Sequence, residues 1–161
     1  MRIAIDISQI VYEGSGVGRF TNGLVRAICE YDKSNEWFFF FSSFRRNLDS
    51  TVEDLIKSKC HTLIKSKLPP TLLSFIWNQI HFFPIDSLVG KVDWVITSDW
   101  SEPPTKFKKA TIVHDLVYLK YPATVDENTR KTQERRLRWV QKESSIIFAD
   151  SDSTKIDLES Q

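Results

Sequence analysis

Cysteine and glycine are scarce in this chain, and their scarcity excludes several classes of protein. The 161 residues include two cysteines, Cys29 and Cys60, which make neither a zinc-binding spacing nor a disulfide framework. We therefore expect two reduced thiols and a cytoplasmic protein. Five glycines and six prolines leave no repeat, linker or low-complexity segment.

Long apolar runs and an excess of charge are also missing. No run approaches the ~20 apolar residues that a membrane span requires. Asp6 interrupts the short apolar stretch at the N-terminus, so this stretch is not a signal peptide. With 22 basic and 21 acidic residues the net charge is +1, which gives no overall signal for nucleic acid or an acidic substrate. What remains is a globular domain, large enough to bury roughly 70% of the surface of its unfolded chain.

Short apolar runs alternate with helical patterns from one end of the chain to the other. The runs predict six strands, at 2–8, 36–43, 61–68, 92–98, 110–119 and 145–151. Between them the patterns predict helices at 19–32, 50–60, 71–90 with a break at Pro84, and 125–144. Strands separated by helices in this order predict an α/β fold, a Rossmann-like open parallel sheet with helices on both faces.

Apolar spacing and short polar motifs predict how individual helices begin and which side they bury. In the first helix one core-facing stripe is predicted at Phe20, Leu24, Ala27, Ile28 and Tyr31. Capping residues are predicted at Ser50 with Glu53, at Thr124 with Glu127, and at Ser153 or Thr154. The chain stops about two turns into the last helix, so we expect it to be part of a longer protein.

Polar residues follow four of the predicted strands at the edge where a site is expected. In an open parallel sheet, ligands bind beyond the carboxyl ends of the strands, near the point where strand order reverses. The sequence places a glycine-rich loop there after the first strand, and polar pairs after the fourth, fifth and sixth. The candidate site residues are Gly16, Val17, Gly18, Arg19, Ser98, Asp99, His114, Asp115, Ser151 and Ser153.

The glycine-rich loop, "YEGSGVGRF", puts three of the five glycines within five residues. Glycine permits positive φ and lets a ligand approach the backbone, and free N–H groups at the start of a helix attract anions. A diphosphate is therefore a natural ligand near Gly16–Arg19. A tight connection with no ligand is the equally simple alternative.

A dinucleotide-binding enzyme is a rival interpretation of the same loop. The spacing is Gly-x-Gly-x-Gly rather than the dinucleotide fingerprint, and the loop is longer than that fingerprint allows. The "FRR" stretch at 44–46 could instead suit a 2′-phosphate, so an NADP-dependent oxidoreductase stays an alternative.

His114 is the candidate catalytic residue. A histidine at a strand end can donate to or accept from a sugar hydroxyl and can change protonation state near neutral pH. Its place at the predicted site, beside Asp115, favours function over a structural role. We predict no metal site, because no His, Cys or carboxylate set has zinc spacing.

The region from Lys106 to Lys142 is basic although the whole chain is balanced, with ten Lys or Arg against four Asp or Glu. A solvated helix face with internal ion pairs, such as Glu134 with Arg138, is one interpretation. The other is a surface for anionic lipid headgroups, which would make this a peripheral protein on the cytoplasmic face of a membrane.

Four segments together resemble the N-terminal domain of family 4 glycosyltransferases. The opening "MRIAIDISQIVYEGSGVGRFTNGLVRAI" is similar to the family's first strand, G-[GVI]-G-R-[YF] loop and helix. The others are "FIWNQIHFFP", "VDWVITSDWSEPP" followed by "ATIVHDLVYLKYP", and "FADSDSTKIDL", which resemble the family's L-W-E-Q, D-V-x-H-x-P, V-x-H-D-L and S-x-x-S-K-x-D-L motifs. The resemblance spans nearly the whole chain in the family's order.

This resemblance implies that residues 1–161 are the N-terminal, acceptor-binding half of a two-domain GT-B enzyme. Such an enzyme transfers a sugar, with retention, from a nucleotide-diphosphate donor to a glycan or lipid-linked acceptor and needs no other cofactor. By position the resemblance assigns Gly16, Val17 and Gly18 to the donor's diphosphate and His114 to the transferred sugar. It leaves Ser151 and Ser153 as cleft residues.

Two departures limit what the resemblance implies. Thr97, Ser98 and Asp99 stand where many relatives carry a histidine, so acceptor contacts there stay open. The family's C-terminal nucleotide-sugar-binding domain is absent from this chain. A non-catalytic binding module of the same fold is therefore a third possibility beside the transferase and the NADP enzyme.

Overall fold

A computed structural model describes residues 1–160 and contains one six-stranded sheet in which every neighbouring pair is parallel. The strands are β1 Arg2–Asp6, β2 Glu36–Ser42, β3 Thr62–Ser66, β4 Trp94–Ser98, β5 Lys108–Val113 and β6 Ile146–Ala149. The strand order is β3-β2-β1-β4-β5-β6, so the direction of strand addition reverses between β1 and β4. This α/β arrangement confirms the predicted Rossmann-like parallel sheet.

Helices and short turns connect the strands. The helices are α1 Gly16–Tyr31, α2 Ser50–Ser58, α3 Pro70–Ser74, α4 Asp86–Val89, α5 Val117–Lys120, α6 Glu127–Glu143 and α7 Asp152–Glu159. Helix α3 continues directly into a π-helical segment, Phe75–Ile80, and 3-10 turns cover Ser8–Val11 and Pro122–Thr124. No helix in this part of the chain is both long and apolar enough to cross a membrane.

Both faces of the sheet carry a packed core, as predicted. On one face Ile3, Ile5 and Phe39 pack against Val25 of α1 and Ile56 of α2. Successive side chains of a strand point to opposite faces, which is why continuous apolar runs such as "EWFFFF" suit a sheet that is buried on both sides.

The opposite face is covered by two groups of helices. Phe40 and Val95 pack against Trp77 of the π-helical segment and Val89 of α4. Further along the sheet, Val113 packs against Leu137 and Val140 of α6 together with Leu116 and Tyr118.

The buried stripe of α1 is rotated from the predicted one. Tyr31 and Phe20 are exposed, whereas Thr21, Val25 and Cys29 are buried with Ile28. The prediction was wrong for Phe20 and Tyr31 and right for Ile28 and for Leu24, which packs against the core. Apolar spacing alone cannot distinguish a core contact from an apolar side chain that is exposed or faces a cavity. Phe20 and Leu24 line such a cavity.

All three predicted helix caps were wrong by one to three residues. Asp49 caps α2, Asp126 caps α6 and Ser151 caps α7, each accepting from backbone amides of the first turn. Helices α2 and α7 begin earlier than predicted, so Ser50, Ser153 and Thr154 already lie inside the first turn. Helix α6 begins later, and Asp126 is closer to its first turn than Thr124 is.

Two element boundaries also differ from prediction. Strand β5 ends at Val113, and the apolar residues after it turn into the short helix α5. The third helix ends at His81, where φ is 51°, rather than at Pro84. Phe83 also adopts a positive φ, and the residue before a proline is disfavoured in the helical region.

Candidate functional site

The register of three strands brings Ser98, His114 and Asp150 together at the carboxyl edge of the sheet. Ser98 pairs with Ile112, and Ile112 pairs with Phe148. His114 and Asp150 come two residues after these partners, on the same face. His114 Nε2 lies 3.2 Å from Ser98 Oγ, and His114 Nδ1 lies 2.9 Å from an Asp150 carboxylate oxygen.

These contacts fix the orientation of the imidazole. A carboxylate can only accept, so Nδ1 carries the proton that is donated to Asp150, and in the neutral ring Nε2 accepts from the Ser98 hydroxyl. The ring of Phe20 meets the His114 ring edge-on at a centroid distance of 4.9 Å, and Thr154 Oγ1 donates to the His114 carbonyl at 2.8 Å. Residues of β4, of α1 and of the turn after β6 therefore hold the imidazole, and α7 holds the backbone of the same residue.

The three glycines of the loop have different structural explanations. Gly14 has φ of +82°, a conformation that favours glycine. A Cβ on Gly18 would lie 2.3 Å from the backbone oxygen of Tyr12, so close packing excludes any side chain there. Gly16 has neither feature, because a Cβ there would meet nothing within 4 Å. The fold does not require glycine at this position, which faces open space beside the first turn of α1.

The first turn of α1 offers two backbone amides. Ser15 caps the helix, its Oγ accepting from Gly18 N at 3.0 Å, and its carbonyl accepts from Arg19 N. Within residues 1–160 the amides of Gly16 and Val17 have no partner, and they lie at the positively polarised end of a 16-residue helix. Arg19 is exposed on the same turn.

The remaining predicted residues lie at the same edge but differ in how far they are engaged. Asp99 follows β4 with φ of 61°, and burial raises the pKa of its carboxyl, with Arg136 nearby acting in the opposite direction. Asp115 is exposed and accepts from Val117 N at 3.0 Å. Ser151 is occupied as the cap of α7, whereas Ser153 is exposed to solvent.

Two residues that the sequence analysis did not select, Asp6 and Gln9, lie at the point where strand order reverses. Asp6 ends β1, is buried, and accepts from the amide and hydroxyl of Ser8. Burial raises the pKa of its carboxyl, and the hydrogen bonds from Ser8 act against that rise. Gln9 donates to the Ser98 carbonyl at 2.9 Å, and its Oε1 is buried without a partner.

Both residues line a small cleft that also involves Tyr12, Trp100 and Ser101. The sequence signal for this cleft was present, because Asp6 is the one charged residue inside an apolar strand.

A larger, apolar cavity of about 340 Å³ opens beside Asp150. Phe20 and Leu24 of α1 form one wall, and Ile112 and Phe148 of the sheet form another. This volume lies at the low end of the range for small-molecule sites, roughly 300–1,000 Å³. The polar edge of the sheet therefore adjoins space for an apolar group.

A buried ionic cluster lies on the face of the sheet opposite to the Ser98 and His114 side chains. Glu102 is fully buried, and its carboxylate accepts from the hydroxyls of Thr97 and Thr111, each at 2.9 Å. Lys109 Nζ lies 3.5 Å and Arg136 Nε 3.7 Å from the same carboxylate. The cluster joins β4, β5 and α6 across the sheet from Ser98 and His114.

The "FRR" stretch bears on the NADP alternative. Arg46 donates to the carbonyl of Val11, so it holds the chain just before the glycine loop. Arg46 and Arg26 also line a polar cavity between α1 and α2, together with the carboxylates of Glu13 and Asp49. Two acids beside two arginines make this cavity less suited to a phosphate than an all-basic one.

Comparison with known proteins gives no relative for this chain. No family model matches it, and no curated protein or solved structure gives a significant match. Among residues 1–160 no group of three or more His, Cys, Asp or Glu is placed to hold a metal ion. The functional interpretation therefore depends on the residues of the site and on the sequence resemblance.

Proposed function

We propose that this chain is the acceptor-binding part of a retaining glycosyltransferase, which moves a sugar from a nucleotide-diphosphate donor to a glycan or lipid-linked acceptor in the cytoplasm. One observation carries the proposal. The imidazole of His114, oriented by Asp150, packs edge-on against Phe20 of α1 at the carboxyl edge of the sheet. That edge is where parallel α/β sheets bind ligands.

The first turn of α1 would receive the donor's diphosphate. The amides of Gly16 and Val17 point from a helix N-terminus, where anions are stabilised. The missing side chain at Gly16 leaves room for phosphate oxygens close to the backbone. Arg19 on the same turn adds a positive charge.

His114 would contact the transferred sugar. Asp150 keeps the proton on Nδ1, so Nε2 is available as an acceptor whenever the Ser98 hydroxyl turns away. A sugar hydroxyl can replace the Ser98 hydroxyl in that hydrogen bond. Such an enzyme would polarise the leaving diphosphate and orient the acceptor hydroxyl, largely by positioning and by electrostatic stabilisation. The apolar cavity beside Asp150 supports an acceptor that has an apolar portion.

A second domain would bind the nucleotide of the donor, as the sequence resemblance implies. The first turn of α1 can bind a diphosphate, but without the second domain the nucleotide is not held and the leaving diphosphate is only partly stabilised. We therefore predict that purified 1–161 transfers no sugar, or only a trace, from UDP- or GDP-sugars. Clear turnover by 1–161 would contradict this division of labour.

Acyl transfer is a second candidate, because Ser98, His114 and Asp150 have the order and spacing of a Ser-His-Asp relay. Ser98 is only 4% exposed, so a substrate carbonyl has no open approach to Oγ. We expect a fluorophosphonate probe to leave Ser98 unlabelled. Stoichiometric labelling that is lost in Ser98→Ala would favour the acyl-transfer function instead.

Amide NMR spectra of the ¹⁵N-labelled chain can test the transferase proposal. We expect UDP-glucose or GDP-mannose to shift the amides of Gly16 and Val17, and His114→Gln to weaken the response. His61→Gln, at a half-buried imidazole beside Phe39 and just before β3, away from the carboxyl edge of the sheet, is the matched control. Shifts with NADPH but with neither nucleotide sugar would favour the oxidoreductase. No response to any of the three would favour a non-catalytic module.

A further inference from the structure

Four large apolar side chains project into solvent from one short stretch of chain. Helix α3, the π-helical segment and the turn after it carry this apolar ridge, which consists of Leu72, Phe75, Ile80 and Phe82. Phe82 is 73% exposed and Ile80 is 57% exposed. Single exposed apolar residues are ordinary, but a contiguous set of this kind marks an interaction surface.

The backbone at the end of the ridge is held in an uncommon conformation. His81 and Phe83, on either side of Phe82, have φ of 51° and 59°, in the left-handed region that non-glycine residues rarely adopt. Such conformations persist only where surrounding contacts impose them. The fold therefore displays Phe82 in water at an energetic cost.

The contacts that impose this conformation come from α6 and from the π-helical segment. His81 Nδ1 lies 2.7 Å from the Trp77 carbonyl, and His81 Nε2 lies 2.7 Å from a Glu143 oxygen. The imidazole stacks on Trp139 with ring centroids 3.5 Å apart. Phe82 is thus anchored next to α6 and is not part of a loose loop.

The adjoining face of α6 supplies positive charge. A groove of about 440 Å³ between Gln79 and α6 is lined by Arg135, Arg138 and Lys142, and Lys142 Nζ lies 5.0 Å from the Trp139 ring centre. Throughout residues 1–160 these three cations make no ion pair. Glu134, which the sequence analysis paired with Arg138, binds Arg130 instead.

Other basic residues of the Lys106–Lys142 region do not contribute to this surface. Lys109 and Arg136 are buried in the cluster around Glu102. Lys120 and Lys131 are paired with acids. Glu143, which contacts His81 at the end of the ridge, is occupied by Lys109 and His81. Lys106 and Lys108 also make no ion pair among the described residues, and they lie over the rings of Phe107 and Trp94. Three of the five cations of this region that have no ion pair in the described chain therefore lie beside the apolar ridge.

We infer that the apolar ridge and the three cations Arg135, Arg138 and Lys142 form a docking surface for an anionic lipid bilayer. The phenyl and aliphatic side chains enter the region between headgroups and acyl chains, while the cations contact lipid phosphates. A nucleic acid would use the cations but has no apolar phase for Ile80 and Leu72. This surface is independent of the proposed sugar transfer, since none of its residues belongs to that site.

Vesicle co-sedimentation tests the inference with the chain as it is. We expect binding to vesicles of phosphatidylglycerol and phosphatidylcholine, and at least about tenfold weaker binding to pure phosphatidylcholine, since each basic residue near an anionic surface contributes several-fold. Phe82→Ser should weaken binding about tenfold through lost apolar burial, and Arg138→Ala about fivefold. Both side chains point into solvent, so the variants should unfold at the wild-type midpoint.

Phe44→Ser and Lys155→Ala are matched controls, because both residues are exposed and lie outside this surface. Neither should change vesicle binding. Absence of binding to anionic vesicles, or equal binding to neutral ones, would overturn the inference. So would heparin competing fully while Phe82→Ser binds vesicles like the wild type, an outcome that indicates a general polyanion site. An effect of Phe44→Ser as large as that of Phe82→Ser would remove the ridge from the interface.

Discussion

Replacing Glu102 should destabilise the domain more than any substitution at its surface. The carboxylate accepts from Thr97 and Thr111, and it faces the cations of Lys109 and Arg136 in a fully buried environment. Removing one partner of a buried charge cluster costs about 3–5 kcal/mol, because the remaining charges stay desolvated.

The geometry narrows that range. Lys109 keeps Glu143 at 2.7 Å, and Arg136 keeps the Ile112 carbonyl at 3.0 Å. Both cations therefore retain one acceptor, and the loss for Glu102→Ala should be about 3–4 kcal/mol rather than the maximum. Glu102→Gln keeps the shape and one acceptor oxygen, so about 2 kcal/mol is expected, the cost of losing hydrogen bonds to a charged group.

Equilibrium unfolding in urea, followed by tryptophan fluorescence, measures both losses. For a domain of this size 1 kcal/mol corresponds to roughly 2–4 °C, so Glu102→Ala should also melt about 10 °C below the wild type. Glu159→Gln is the control, because that carboxylate is exposed and its ion pair with Lys155 is long, at 3.9 Å. If Glu102→Ala and Glu159→Gln gave the same free energy of unfolding, the reasoning about the buried cluster would be refuted.

Three further predictions concern the glycine loop, the reversal point and a helix cap. Gly18→Ala should lower the free energy of unfolding by about 1–3 kcal/mol, because the new Cβ clashes with the backbone oxygen of Tyr12. Gly16→Ala should be at least as stable as the wild type, since a Cβ there meets no other atom. Equal urea midpoints for these two variants would contradict this reasoning. Burial raises the pKa of the Asp6 carboxyl in the folded chain above 3.8, so the folded state holds this proton more tightly than the unfolded chain does. The contribution of Asp6 to the free energy of unfolding therefore falls by about 1.4 kcal/mol per pH unit from about pH 3.8 up to the folded pKa. Asp6→Asn lacks this loss and should gain stability relative to the wild type as pH rises; parallel curves of unfolding free energy against pH would rule it out. Asp126→Ala should lower the free energy of unfolding by about 1 kcal/mol, because it removes the side chain that caps α6. Thr124→Ala should change it little, because Thr124 does not cap this helix, and equal losses in thermal melting would contradict the assignment.

The fold was predictable because its strands are continuous apolar runs separated by amphipathic helices. Strands β1, β2 and β4 begin and end within two residues of the predicted positions. A strand that is buried on both faces is a continuous apolar run, so its limits can be read from the sequence. The end of β5 was missed because the apolar residues "LVYL" continue after the strand has ended at Val113. The π-helical segment has no sequence signature, so the end at His81 was also missed.

The candidate site was predictable as an edge but not as a set of contacts. The rule for parallel sheets places Ser98 and His114 at the same edge, and the structure brings them within hydrogen-bonding distance. The role of Asp150 depends on the register between β5 and β6, which a single sequence does not reveal. Asp6 and Gln9 were overlooked because their environment comes from β4, 89 residues away from Gln9 along the chain.

The two edges of the sheet differ in how well they resist self-association. Strand β3 presents Thr62 and Lys65 to solvent, and a lysine on an edge strand discourages a second chain from adding to it. Strand β6 presents Ile146, Ile147 and Phe148, which are 42%, 38% and 49% exposed, and carries no charge within its four residues. At high concentration this chain should therefore aggregate by pairing at β6. The substitution Ile147→Lys should prevent that aggregation.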